Sequence, residues 1–235
     1  QREVAERLAR RLPADEPGCV LELGCGTGLY TRLLREQYPH AELVAVDFCA
    51  AMLRPARGKL PADAGIRWEL ADIETDDIDR LVPDCGLVTS SGTLQWLADP
   101  NSLFRSMRRV LRSGGLLSFA CFGPQTFCEL RDALAAAGLA QVELPAAGFY
   151  AGEQLHAALR PHFSELKIES HTLSRTYPTL LDELRVIRQT GTAGPRSAIG
   201  WSRALVDRLE RLYLQRHGAI RSTYEVFFVQ ARGEP

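Results

Sequence analysis

The chain has 235 residues, 46% of them hydrophobic and 24% charged, with a formal net charge of −1. Those proportions describe one large globular domain and exclude a collagenous or disordered chain. No uncharged apolar run is long enough to cross a bilayer, and so balanced a charge gives no general attraction to polyanions, so neither a membrane nor a nucleic-acid partner is expected.

Val4, Leu8 and Leu12 recur at helical spacing over residues 1–12, and Pro13 stops that helix. Its many charges, from Arg2 to Arg11, are wrong for a secretion signal. The apolar run 19–23 ends in glycines and reads as a strand, followed by a helix over 27–37 with Leu29, Leu33 and Leu34 inward. A strand at 42–47, a helix at 50–60, either continuous or limited by Pro55 to separate turns, and strands at 66–70 and 86–90 come next. Residues 102–111 read as a helix stopped by Gly114-Gly115, and 116–122 as the strand after it. Helices at 126–137 and 152–159, a strand at 166–172, helices at 179–190 and 202–216, and a strand at 223–231 complete the chain.

Strands and helices alternating about every thirty residues specify an α/β fold, a doubly wound, mostly parallel, seven-stranded Rossmann-like sheet. The two helices between the last two strands make 178–218 an inserted helical cap within a single domain spanning 1–235. Charge is uneven along this frame. Residues 69–84 hold seven acids against Arg80, whereas 185–221 hold eight arginines against Asp207 and Glu210. The six cysteines form no C-x-x-C pair and five sit in or beside apolar runs, so no metal site is expected and a reducing, cytoplasmic setting is. No histidine has metal-like spacing or stands beside a nucleophile.

The chemistry concentrates after the first strand, at Glu22-Leu23-Gly24-Cys25-Gly26-Thr27-Gly28. Glycines let the backbone turn tightly and approach a ligand. The spacing is G-x-G-x-G with an acid two residues before the first glycine, not the G-x-G-x-x-G of dinucleotide binding. That pattern points to S-adenosylmethionine (SAM), which carries no pyrophosphate. Asp47 ends the second strand, where a carboxylate can accept both ribose hydroxyls. Asp72 follows the third, where it can accept from the adenine amino group or simply cap a turn. Phe48 and Met52 can cover the adenine face.

These residues resemble the class I SAM-dependent methyltransferases over nearly the whole chain. More narrowly, Ala-Val-Asp-Phe at 45–48, Leu-Gln-Trp-Leu at 94–97, Phe-Gly-Pro-Gln-Thr-Phe-Cys-Glu-Leu-Arg at 122–131 and Thr-Tyr-Glu-Val-Phe-Phe at 223–228 resemble the malonyl-acyl-carrier-protein O-methyltransferases of biotin synthesis. The resemblance implies a cofactor set of Glu22, Gly24, Cys25, Gly26, Gly28, Asp47, Phe48, Met52, Asp72, Ile73 and Ser90. It implies a substrate side of Gln95, Trp96, Phe149, Tyr150, Arg185 and Arg188, with Ile187-Arg188 through Gly191-Thr192 among its segments. The partner would be malonyl-acyl carrier protein, an acidic protein that the basic stretch could dock through Arg196, Arg203, Arg208 and Arg211. The family's N-terminal lid, with its tyrosine, precedes the helix at which Gln1 stands, so lid contacts are not expected from these residues. Relatives that hydroxylate a protein arginine or assist respiratory-complex assembly share some of the motifs, and a methyltransferase of another small carboxylic acid is a further alternative.

A malonyl carboxylate is ionised near neutral pH, so methyl transfer to it needs alignment and no general base; no catalytic proton-transfer residue is expected. On a helical wheel Arg188 falls between Leu184 and Leu181, inside the apolar sector, and Arg185 on its edge. A guanidinium placed there would call for an anionic partner, and a substrate carboxylate would suit it.

Overall fold

The structure is a computed structural model and describes residues 1–61, 64–82, 84–189 and 202–233. In chain order the elements are α1 (Arg2–Ala9), β1 (Cys19–Leu23), α2 (Leu29–Gln37), β2 (Glu42–Asp47), α3 (Ala50–Lys59), β3 (Ile66–Leu70), β4 (Cys85–Ser91) and α4 (Pro100–Val110). They continue as β5 (Leu111–Phe122), α5 (Cys128–Ala136), α6 (Gly152–Leu159), β6 (Glu165–Tyr177), α7 (Leu180–Gln189), α8 (Arg203–His217) and β7 (Ile220–Arg232). The strands form one seven-stranded sheet in the order β3-β2-β1-β4-β5-β7-β6, with β7 antiparallel. β1 pairs in parallel with both β2 and β4, Val20 lying opposite Leu43 on one side and Leu87 on the other. The strand order reverses between β1 and β4, which puts the ligand crevice of an open α/β sheet beyond their C-terminal ends.

By contact density the chain divides into two compact units. The first holds residues 1–121, 152–170 and 227–235. Its core is the central strands: Val20, Leu21, Leu23, Val44, Ala45, Val46 and Val88 are buried, as strands covered on both faces require. Asp99 caps α4 by accepting from the Asn101 N–H at 3.0 Å. The same helix buries Leu103, Phe104, Met107 and Val110, with Phe104 stacked on Phe119 at 5.9 Å. The Arg11 guanidinium lies 4.1 Å from the Phe228 ring centroid and pairs with Glu169 at 3.0 Å.

The second unit holds residues 122–151 and 171–226. Two of the motifs singled out in the sequence meet inside it. Gly123 N–H donates to the Glu225 carbonyl at 2.9 Å and Phe127 N–H to the Thr223 carbonyl at 2.8 Å. Gln125 N–H donates to the Glu225 carboxylate, and Thr223 donates through its N–H, at 2.9 Å, and its hydroxyl to the Glu129 carboxylate. Phe127 meets Tyr224 edge-on at 5.2 Å. These stretches are therefore a joint between α5 and β7.

Residues 50–59 form one helix with Pro55 inside it, not separate turns. Some elements differ from the sequence expectation. Gly114-Gly115 lies within β5, which starts at Leu111 directly after α4 and joins β4 through a register shift. α5 starts at Cys128, because Phe127 takes a left-handed conformation, φ 61°, to reach Thr223. β6 runs to Tyr177, five residues beyond the expected strand, its exposed polar residues held by backbone pairing.

Candidate active site

The glycine loop leaves β1 and is fastened to β2. Gly24 and Cys25 donate their N–H groups to the Val46 carbonyl at 2.8 and 2.9 Å. Gly24 has φ 72°, and a Cβ there would stand 2.2 Å from Thr93 Oγ1, so only glycine fits. Thr93 donates its hydroxyl to the Gly24 carbonyl at 3.2 Å, which ties the turn after β4 to the loop. Gly28, at φ 78°, then opens α2 and packs close to Ala56.

Asp47 stands at the C-terminal end of β2 with 7% of its surface exposed. Its Oδ2 accepts from the Gly26 N–H at 2.8 Å and its Oδ1 from the Cys49 N–H at 2.9 Å. Each oxygen keeps a second lone pair, so the carboxylate braces the loop and can still accept from a diol. Glu22 is buried, its Oε2 has no partner, and burial pushes its pKa up to about 8, with the Asp47 charge adding to the rise. Cys25 is buried, and burial raises its thiol pKa, so it is an inert wall. Asp72 is half-buried after β3, and its Oδ1 accepts from the Glu74 N–H at 3.0 Å, as the turn-capping alternative requires. Ile73 beside it is half-buried.

In and after these strand ends the first unit also leaves large apolar side chains exposed. Phe48 is 74% exposed, Leu70 58%, Met52 44% and Trp96 43%. Phe48 and Leu70 follow or end β2 and β3, and Trp96 closes the 3-10 turn Leu94–Trp96 after β4. An aromatic base would cover exposed apolar side chains of this kind, with Asp47 at hand for the ribose; the residues fit SAM.

Two expected site residues of the first unit are buried and engaged within the fold. Ser90 is fully buried and donates its hydroxyl to the Leu23 carbonyl at 2.7 Å, bracing β1 against β4. Gln95 is buried too, its amide donating to the Gly92 carbonyl at 2.7 Å and shaping the turn that displays Trp96. In the second unit Phe149 is buried and Tyr150 half-buried. Arg185 is exposed and pairs with Asp182 at 3.1 Å. Arg188 is exposed, which corrects the helical-wheel expectation: α7 buries Leu180, Glu183 and Ile187, while Leu181 is 45% exposed. Gly191, Thr192 and Arg196 lie outside the described residues.

Sequence reasoning missed Leu70, Thr93 and Glu183. Leu70 reads as an ordinary strand residue, and Thr93 announces itself only by preceding the Leu-Gln-Trp run. Glu183, fully buried, sits at a position whose polarity hides the buried face of its helix.

The loop, the ribose-side acid and the sheet order together define the chain as a member of the class I SAM-dependent methyltransferases. Comparison with known proteins agrees: residues 21–119 match the family described as "Methyltransferase domain". More particularly, the chain is 32% identical to a malonyl-[acyl-carrier protein] O-methyltransferase of Paenibacillus sp. (strain JDR-2), over 98% of this chain and 90% of that one. It is 34% identical to the protein of the same name from Halorhodospira halophila, over 99% of this chain and 81% of that one. Among solved structures, YcgJ from Bacillus subtilis shares the fold with a TM-score of 0.67, at 14% identity and full coverage of both chains. A Haemonchus contortus phosphoethanolamine N-methyltransferase 2, solved with S-adenosylhomocysteine, superposes with a TM-score of 0.61 at 19% identity, covering 99% of this chain and 53% of that one. SAM is the cofactor of this protein. Among the described residues no helix is long and apolar enough to cross a membrane.

Proposed function

We propose that this methyltransferase esterifies the free carboxylate of a malonyl thioester carried on acyl carrier protein. The observation that carries the reading is similarity along nearly the full chain to several malonyl-[acyl-carrier protein] O-methyltransferases. It is supported by the 122–131 and 223–228 stretches, which resemble segments of that family.

The cofactor, when bound, supplies a methyl group on a sulfonium, ready for in-line displacement. Asp47 would hold the ribose, the Gly24–Gly28 loop would receive the amino-acid end, and Phe48, Met52 and Leu70 would cover the base. Glu22, buried beneath the loop, would take up a donor from that end on its unpartnered oxygen. Trp96 would wall the crevice against water. The chain's contribution to the reaction is alignment, with reacting atoms held ~3–3.5 Å apart. The nucleophile arrives ionised, and the described site offers no histidine for which a proton-transfer role is needed.

On the substrate side, Arg188 is the candidate cation for the malonyl carboxylate. Its exposure on α7 leaves the guanidinium open to an incoming anion. The exposed Arg203, Arg208 and Arg211 of α8 are the candidates for docking the acidic carrier. Residues 178–218 would form a cap on the substrate side; 190–201 among them lie outside the described residues.

Release of S-adenosylhomocysteine, measured for malonyl, succinyl and acetyl thioesters of one carrier protein, tests the reading. Malonyl should turn over fastest and acetyl not at all. Equal rates for malonyl and succinyl, or no turnover of either, would reject the malonyl assignment.

A further inference from the structure

We propose that Cys19 and Cys85 are an oxidation site, a dithiol that a hydroperoxide closes to a disulfide between β1 and β4. Their Sγ atoms lie 3.2 Å apart. The two strands are neighbours in the sheet, so the thiols stand on adjacent strands. The segments bearing the thiols are pressed together, since a Cβ on Gly86 would stand 2.2 Å from the Pro17 carbonyl oxygen. To bond, the sulfurs must close from 3.2 Å to ~2.05 Å.

The two sulfurs have different surroundings, and that assigns their roles. Cys85 is buried, and its Sγ lies 3.2 Å from the carbonyl oxygens of both Cys19 and Leu87 as well as from Cys19 Sγ. Enclosed by acceptors, it holds its proton and donates it; the bond to Cys19 and burial both raise its pKa. Cys19 is only half-buried, and the S–H it receives from Cys85 lowers its pKa. Cys19 is thus the attacking thiolate and Cys85 the resolving thiol.

The chemistry balances with hydrogen peroxide as the oxidant. The Cys19 thiolate attacks one peroxide oxygen, an S–O bond forms, the O–O bond breaks, and hydroxide leaves and takes up a proton as water. Cys85 sulfur then attacks Cys19 sulfur, the S–S bond forms, the S–O bond breaks, and the oxygen departs with the Cys85 proton as a second water. Two thiols lose two electrons and one peroxide gains them.

Both cysteines stand at the N-terminal ends of their strands, whereas the glycine loop follows the C-terminal end of β1. The disulfide would therefore fasten the base of the strand pair and leave the cofactor loop free. It would also close a long loop of chain, which restricts the unfolded state.

The test treats the reduced protein with stoichiometric hydrogen peroxide, blocks remaining thiols and maps the peptides. The expected product is a Cys19–Cys85 linked peptide, with an intact mass about 2 Da lower, reversed by dithiothreitol. Its melting temperature should rise by ~10 °C while affinity for S-adenosylhomocysteine stays within twofold. In Cys85→Ser, dimedone should trap a sulfenic acid on Cys19. Oxidation falling first on Cys49 or Cys128 with Cys19 and Cys85 still reduced would overturn the proposal. So would loss of cofactor affinity on closing the bridge, or a Cys85→Ser protein in which dimedone labels any cysteine but Cys19.

Discussion

Replacing Glu183 with glutamine should remove a pH dependence of stability that this side chain imposes. Glu183 is fully buried on α7, accepts from the Ser222 hydroxyl at 2.6 Å and from Tyr213 at 3.4 Å, and has no partner for Oε2. Burial raises its pKa from 4.5 to about 7, and the nearby Glu129 charge adds to the rise. The folded state therefore prefers the neutral acid. Below pH 4.5 both folded and unfolded chains are protonated, and the group costs nothing. Between pH 4.5 and about 7 the unfolded chain releases its proton first, so stability falls as pH rises. Above pH 7 the full penalty is in place, roughly 3 kcal/mol at ~1.4 kcal/mol per pH unit of displacement. Glutamine keeps an acceptor for Ser222 and carries no charge. Glu183→Gln should match the wild type near pH 4.5 and exceed it by ~1–3 kcal/mol at pH 8, a rise in melting temperature of ~3–10 °C. Urea unfolding at pH 5, 6, 7 and 8 measures the difference directly. A difference between the two proteins that does not change with pH, or a variant weaker at pH 8, would refute the reasoning.

Three further predictions concern the site. Asp47→Asn should weaken S-adenosylhomocysteine binding ~10–100-fold by calorimetry, the value of charge-assisted hydrogen bonds, whereas Ser90→Ala should cost about 1 kcal/mol of stability and leave affinity unchanged. Gly24→Ala should destabilise by ~2–4 kcal/mol and abolish cofactor binding, and adding Thr93→Ala should recover part of the stability, because the clash is relieved but the left-handed backbone is not. Arg188→Ala should lower kcat/KM for malonyl carrier protein by one to two orders of magnitude with cofactor affinity unchanged, as steady-state kinetics beside calorimetry would show.

The first half of the sheet is legible because its strands are short apolar runs that end in glycine or an acid, as Cys19–Leu23 and Glu42–Asp47 do. That punctuation exists because the strand ends hold the ligand, so the cofactor side of the site is legible with it. The second half is less so. Residues 173–177 of β6 are mostly exposed and polar, and nothing in their composition distinguishes a paired strand from a loop. Gly114-Gly115 looks like a break, yet β5 carries it through a register shift against β4. The α7 face is illegible in sequence for a physical reason. Its buried stripe is Leu180, Glu183 and Ile187, and a fully buried acid in the middle of it defeats any hydrophobic wheel. The motifs at 122–131 and 223–228 are visible in sequence, but that they form a joint appears only once Phe127 and Thr223 are seen to bond.

The central step is methyl transfer from SAM to a malonyl carboxylate. Incubation with methyl-labelled SAM and malonyl-acyl carrier protein, read by intact mass, tests it most directly. The expected result is a gain of one labelled methyl on the malonyl carrier, removed by mild ester hydrolysis, and no gain on the acetyl carrier. An unchanged malonyl carrier under conditions where the protein binds SAM, or a label that survives ester hydrolysis, would contradict it.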